Sequence, residues 1–125
     1  MIEDYFQQID ALIANTNIVQ SSCLTYDQRS TYVGFIRASL YFIDGTILHI
    51  REFVNVQYDI DRYMYVYQYQ YVDGTLIFRY DNPPHFPQLS SFPHHKHSDS
   101  ETHVVPSTGP DLQAILIEIH NLIIT

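Results

Sequence analysis

Apolar positions recur along this chain with two different periods, and the change from one to the other divides it. Over residues 2–14, Tyr5, Phe6, Ile9, Leu12 and Ile13 return at helical spacing. Glu3 and Asp4 stand where a helix dipole favours anions, and Asn15-Thr16-Asn17 is the expected stop. From residue 19 the period falls to two. Strands are predicted over 19–27, 31–43, 46–57, 60–72 and 75–81. Ile36, Ala38, Leu40 and Phe42 form one apolar face of the second strand, and Leu48, Ile50, Val54 and Val56 one face of the third. Asp44-Gly45 and Asp73-Gly74 are strong hairpin signals.

Residues 82–110 lose both periods. All six prolines fall there, which argues against a central strand. A long loop inside a compact domain is typically functional or disordered, and this one is read as a Pro/His-rich functional loop. From Pro110 onward Leu112, Ile115, Leu116, Ile119, Leu122 and Ile123 make a second helical stripe, with the proline expected in its first turn. The predicted fold is α+β: one domain over 1–125, an antiparallel β-meander of about 4–5 strands flanked by an N-terminal and a C-terminal helix. Both helices are expected on one face of the sheet.

Composition narrows the picture. The chain has 125 residues and 46% hydrophobic content, which excludes a mainly disordered polymer. No apolar run approaches the ~20 residues of a membrane helix. Met1-Ile2-Glu3-Asp4 lacks the layout of a secretory signal, and one cysteine, Cys23, excludes an intramolecular disulfide and a Cys-based zinc site. A cytoplasmic protein is expected. The formal charge is −8, against a broad nucleic-acid-coating surface. Residues 79–103 differ: they are formally −1, and +4 if their five histidines protonate. That leaves room for a local phosphate site, and an acidic remainder suited to a basic partner.

Three places carry candidate chemistry. Glu52 interrupts the apolar face of the third strand, where a carboxylate is costly without partners; a bulge turning it to solvent is the alternative. Arg79 and Asp81, at i and i+2, share a strand face and adjoin the loop. The loop supplies His85, His94, His95, Lys96 and His97. Those imidazoles suit acid–base catalysis, with no cofactor; the alternatives are Zn or Ni held by His94, His95 and His97, and an inert exposed loop. Together with Arg79 or Lys96 to stabilise a phosphorane, they form the set that metal-independent RNA cleavage needs. In that scheme Glu52 and a histidine move protons, Arg79 and Lys96 hold phosphate, and Asp81 orients Arg79 or a histidine. It requires Glu52 and Arg79–Asp81 on the same side of the sheet as the loop. Tyr63, Tyr65, Tyr67, Tyr69 and Tyr71 put five rings on one strand face, where they pack against a helix or partner or, less simply, stack on bases.

The segment Phe78-Arg79-Tyr80-Asp81-Asn82-Pro83-Pro84-His85, with Phe92-Pro93-His94-His95-Lys96-His97, resembles the signature of the TumE-type toxin family. Asp44-Gly45, Arg51-Glu52-Phe53 and the Tyr-rich strand extend the likeness over roughly residues 31–100, with departures at Pro83 and Phe86. The resemblance implies the toxin of a bacterial type II toxin–antitoxin pair, neutralised by a cognate antitoxin of the helix-turn-helix DNA-binding kind. Ribonuclease activity on cellular RNA follows from the chemical set, and from a topology similar to small ribonuclease toxins of the RelE and barnase type. No membrane partner is expected, and a homodimer is compatible with the pattern. The competing reading is a non-enzymatic protein- or metal-binding module that uses the His-rich loop and the Tyr-rich strand.

Overall fold

The computed structural model describes residues 1–82 and 93–125. Helix α1 (Ile2–Ala14) leads into strands β1 (Val19–Gln28), β2 (Val33–Phe42), β3 (Ile47–Asn55), β4 (Asp61–Gln70) and β5 (Leu76–Asp81). Strands β6 (His95–Ser98) and β7 (Val104–Pro106) follow, then helix α2 (Leu112–Ile124). The seven strands lie in sequence order in one antiparallel sheet. The first five correspond to the predicted ones. Both Asp-Gly turns close as hairpins: Asp44 Oδ1 accepts from the Thr46 amide at 3.0 Å and Asp73 Oδ1 from the Thr75 amide at 2.9 Å. Gly45 and Gly74 adopt φ of 89° and 92°, which only glycine takes without strain.

Period-two alternation sets the core. Ile36, Ala38, Leu40 and Phe42 of β2, Leu48, Ile50 and Val54 of β3 and Tyr65, Tyr67 and Tyr69 of β4 are buried on one face. Against them lie Ile2, Tyr5, Ile9 and Ile13 of α1 and Leu112, Ile115, Leu116 and Ile119 of α2. Gly34 lets α1 come close, since a Cβ there would stand 2.5 Å from the Phe6 ring and 2.7 Å from Ile2. Both helices therefore cover one face, hereafter the helix face; the other is the distal face.

Three expectations are corrected. The sheet has seven strands, not 4–5, because β6 and β7 form inside the segment read as a loop. β5 offers its free edge, β6 pairs along it, and Pro106 is tolerated on the edge strand β7. Pro110 lies before α2 rather than in its first turn; Asp111 is the cap, and its side chain accepts from the Ala114 amide at 2.9 Å. The tyrosine stripe is shorter than predicted. Tyr65, Tyr67 and Tyr69 are buried while Tyr63 and Tyr71 are exposed. Tyr71 lies past the end of β4. At Tyr63 the pairing slips, from Phe53↔Met64 to Val54↔Arg62. That bulge leaves Tyr63 against Phe53 and turns Arg62 onto the helix face.

Candidate functional site

Register assigns each predicted site residue to a face. Glu52 pairs with Tyr65, and Tyr67 with Tyr80, so Glu52 and Tyr80 share the helix face. Arg79 and Asp81 alternate with Tyr80 and hence point to the distal face. In β6, Lys96 opposes Tyr80, while His95 opposes Asp81 and His97 opposes Arg79. Glu52, His94 and Lys96 thus lie on one side, and Arg79, Asp81, His95 and His97 on the other. The expected composite site is corrected on this point: consecutive residues of β6 alternate faces, so its cations and imidazoles are divided by the thickness of the sheet. His85 lies outside the described residues.

On the helix face, Glu52 is 1% exposed and is held by two hydroxyls: Tyr5 donates to Oε1 and Tyr67 to Oε2, each at 2.5 Å. Buried partnering, rather than a bulge, satisfies this carboxylate. Burial, then the neighbouring carboxylate, pushes both tyrosines far above their ordinary pKa. Arg62, inward because of the bulge, donates to Tyr67 Oη at 3.1 Å and to the carbonyls of Pro110 at 2.8 Å and Gly109 at 2.7 Å. Its guanidinium also lies 4.3 Å over the Tyr65 ring. Tyr65 Oη meets His94 Nδ1 at 2.8 Å, and burial followed by Arg62 lowers the His94 pKa. Gly109 has φ 71°, and a Cβ there would stand 2.7 Å from His94. Lys96 reaches Glu118 of α2 at 3.4 Å and lies 4.8 Å over the Tyr80 ring, tying β6 to the helix layer. These contacts fasten the chain before α2 and β6 to the sheet. Asn82 completes them: its Oδ1 accepts the Tyr65 amide at 2.8 Å, just past the last β4–β5 pair, Val66 with Asp81.

The distal face carries the other cluster. Asp81 Oδ2 accepts from Arg79 Nε at 3.1 Å, and Asp81 Oδ1 lies 2.5 Å from His95 Nε2 and 3.6 Å from His97 Nε2. The Nδ1 atoms of both histidines face backbone carbonyls, Pro93 at 2.9 Å and Glu101 at 2.8 Å. Glu101 also grips Arg79 through both carboxylate oxygens. His95 and His97 are buried, with ring centroids 5.1 Å apart. One row across the sheet runs Thr25, Arg37, Arg51, Val66, Asp81, His95; the next runs Cys23, Ser39, His49, Gln68, Arg79, His97. Arg37 and Arg51 are directly opposed and exposed, and Phe35 and Phe53 lie beside them.

The family model described as Toxin TumE matches residues 9–123. The chain belongs to the TumE toxin family. The match reaches well beyond the motifs at 31–100, into both helices. Membership makes this a toxin-family chain and implies a cognate antitoxin. No curated protein and no solved structure matches it. In this toxin, Arg79, Asp81, His95 and His97 of the family signature meet on the distal face, whereas Tyr80, Asn82, His94 and Lys96 fasten β5 and β6 to the rest of the fold. Among the described residues no helix is long and apolar enough to cross a membrane. Sequence reasoning missed Arg62, Asn82, Glu101 and the Arg37–Arg51 pair. The pair was available from period two once β2 and β3 were set in register; Arg62 was hidden by a bulge that no local residue announces.

Proposed function

We propose that this toxin arrests growth as an endoribonuclease, with RNA lying across the distal face. The observation that carries the reading is the Arg37–Arg51 pair. The chain has only 6 Lys and Arg against 14 acids, yet two arginines are set directly opposite on adjacent strands. Like charges so placed cost stability, and a bridging phosphate turns that cost into charge-assisted binding. Phe35 and Phe53 offer stacking surface beside them, as single-stranded RNA recognition uses. Asp81 lies two strands from Arg51, roughly 10 Å away, so a strand held by the arginines leads to the Arg79–Asp81–His95–His97 cluster. That cluster supplies a cation for phosphorane charge and groups able to govern a proton or an ion.

Direct acid–base exchange by the two imidazoles is the less favoured version, because their Nδ1 atoms face carbonyls and their Nε2 atoms face Asp81. The reading is tested by tightly controlled expression of wild type and His97→Ala. Wild type is expected to stop growth with fragmented RNA, and the variant to leave growth and RNA intact. Arrest with intact RNA in the wild type overturns the ribonuclease assignment.

A further inference from the structure

We propose that Asp81, His95 and His97 form a binding site for one divalent transition-metal ion of the zinc type. This rests on the distal-face reading only for the metal's catalytic role, not for its binding. The three residues are buried, and their ligand atoms lie within 4.8 Å of one another.

Hydrogen bonding fixes the direction of the ligands. A carbonyl oxygen can only accept, so His95 Nδ1 donates to Pro93 and His97 Nδ1 donates to Glu101. In the neutral imidazole this leaves the Nε2 lone pair facing Asp81 Oδ1 in both residues. Backbone carbonyls on the second nitrogen are the outer-shell arrangement that orients metal-binding histidines. Arg79 and Glu101 extend that outer shell: Arg79 holds Asp81 Oδ2, so Oδ1 is the oxygen turned to the imidazoles. Although His95 Nε2 is 2.5 Å away, Asp81 Oδ1 is buried and receives no aligned hydrogen bond among the described residues. With both imidazoles neutral, three acceptor atoms converge inside the protein, an arrangement that a cation between them satisfies.

The spacing is close to what an ion needs. Tetrahedral ligands about 2.1 Å from zinc stand roughly 3.4 Å apart. The 3.6 Å between His97 Nε2 and Asp81 Oδ1 already fits. The 2.5 Å between His95 Nε2 and Asp81 Oδ1 must open, by about 1 Å. Two nitrogens and a carboxylate suit zinc and its neighbours rather than magnesium. Three protein ligands leave a fourth position for water or a phosphate oxygen, as in catalytic zinc sites. His94, grouped with these histidines by sequence alone, is on the other face and takes no part.

The test uses full-length protein carrying no affinity tag, dialysed against Zn(II) or Mg(II) and analysed for metal by mass spectrometry. One equivalent of zinc per chain and no magnesium are expected. Asp81→Asn and His97→Ala should weaken zinc binding by about 100-fold or more, beyond what outer-shell changes cause, while His94→Ala retains it. Should the variants fail to fold, the melting temperature of the wild type decides: zinc raises it and magnesium does not. Folded wild type without stoichiometric zinc and without a zinc-dependent melting shift overturns the site, as does equal loss in His94→Ala. RNA cleavage is followed in the same samples with and without EDTA. Zinc bound with RNA untouched overturns the ribonuclease reading and leaves the metal site standing; cleavage by zinc-free protein overturns the metal's catalytic role and leaves both the ribonuclease and the binding site.

Discussion

Glu52 shows how a single residue can be legible in sequence while its meaning is not. Its place among Leu48, Ile50 and Val54 marked it as buried or bulged, and it is buried. What period two could not supply were its partners, since Tyr5 is 47 positions away. Both tyrosines are needed to satisfy a buried carboxylate. Tyr67→Phe should therefore cost about 1–3 kcal/mol, read as a lower urea midpoint with unchanged m-value; an unchanged midpoint contradicts the buried network. The same residues set the response to alkali. Burial raises the pKa of Tyr65 to about 12, and raises those of Tyr5 and Tyr67 well above their ordinary value. A raised pKa stabilises the fold below the unfolded value near 10 and ceases to do so as pH climbs through the folded value. The melting temperature should hold to about pH 10 and fall steeply between about 10 and 12. A flat profile across that window would show the hydroxyls to be solvated. His94 acts in the opposite sense: its lowered pKa gives stability present above about 6.5 and lost as pH falls.

At the scale of elements, α1 and the first five strands could be read because local pattern and tertiary packing agree. β6 could not. His-Lys-His-Ser has none of the Val, Ile, Thr, Tyr, Phe or Trp residues enriched in strands and is followed by further prolines. It forms a strand because β5 offers an edge and Asp81, Glu101 and Glu118 engage its side chains. Once it is a strand, its four charged or titratable neighbours divide between faces, and a cluster in sequence becomes two places in space. The bulge in β4 has a similar effect, placing Arg62 where it bonds the chain just ahead of α2. A lysine ammonium is a single point and cannot reproduce the two-nitrogen fork by which Arg62 reaches both carbonyls. Arg62→Lys should lower stability by about 1–3 kcal/mol and speed hydrogen exchange in the first turn of α2. If α2 stays fully protected, the guanidinium is not what docks it.

Across the whole molecule, the charge of −8 conceals a division that only the sheet makes visible. The helices contain no lysine or arginine, whereas the distal face gathers Arg37, Arg51 and Arg79 with His49, His95 and His97. Neither strand bearing the opposed arginines reads as basic in isolation; pairing β2 with β3 creates the patch. The acidic helix layer lies on the opposite side, so under the proposed function RNA on the distal face and a basic antitoxin on the helix layer would not compete for one surface. The most direct test of the distal-face assignment is cleavage and binding of single-stranded RNA by wild type and by Arg37→Glu/Arg51→Glu, across a range of salt concentrations. Both positions are exposed, so the variant should fold. Wild type should cleave RNA, and the variant should bind at least about 100-fold more weakly with a salt slope shallower by about 1.4, the value for two lost phosphate contacts. Equal binding and cleavage by the folded variant, or RNA left intact by the wild type, would contradict it.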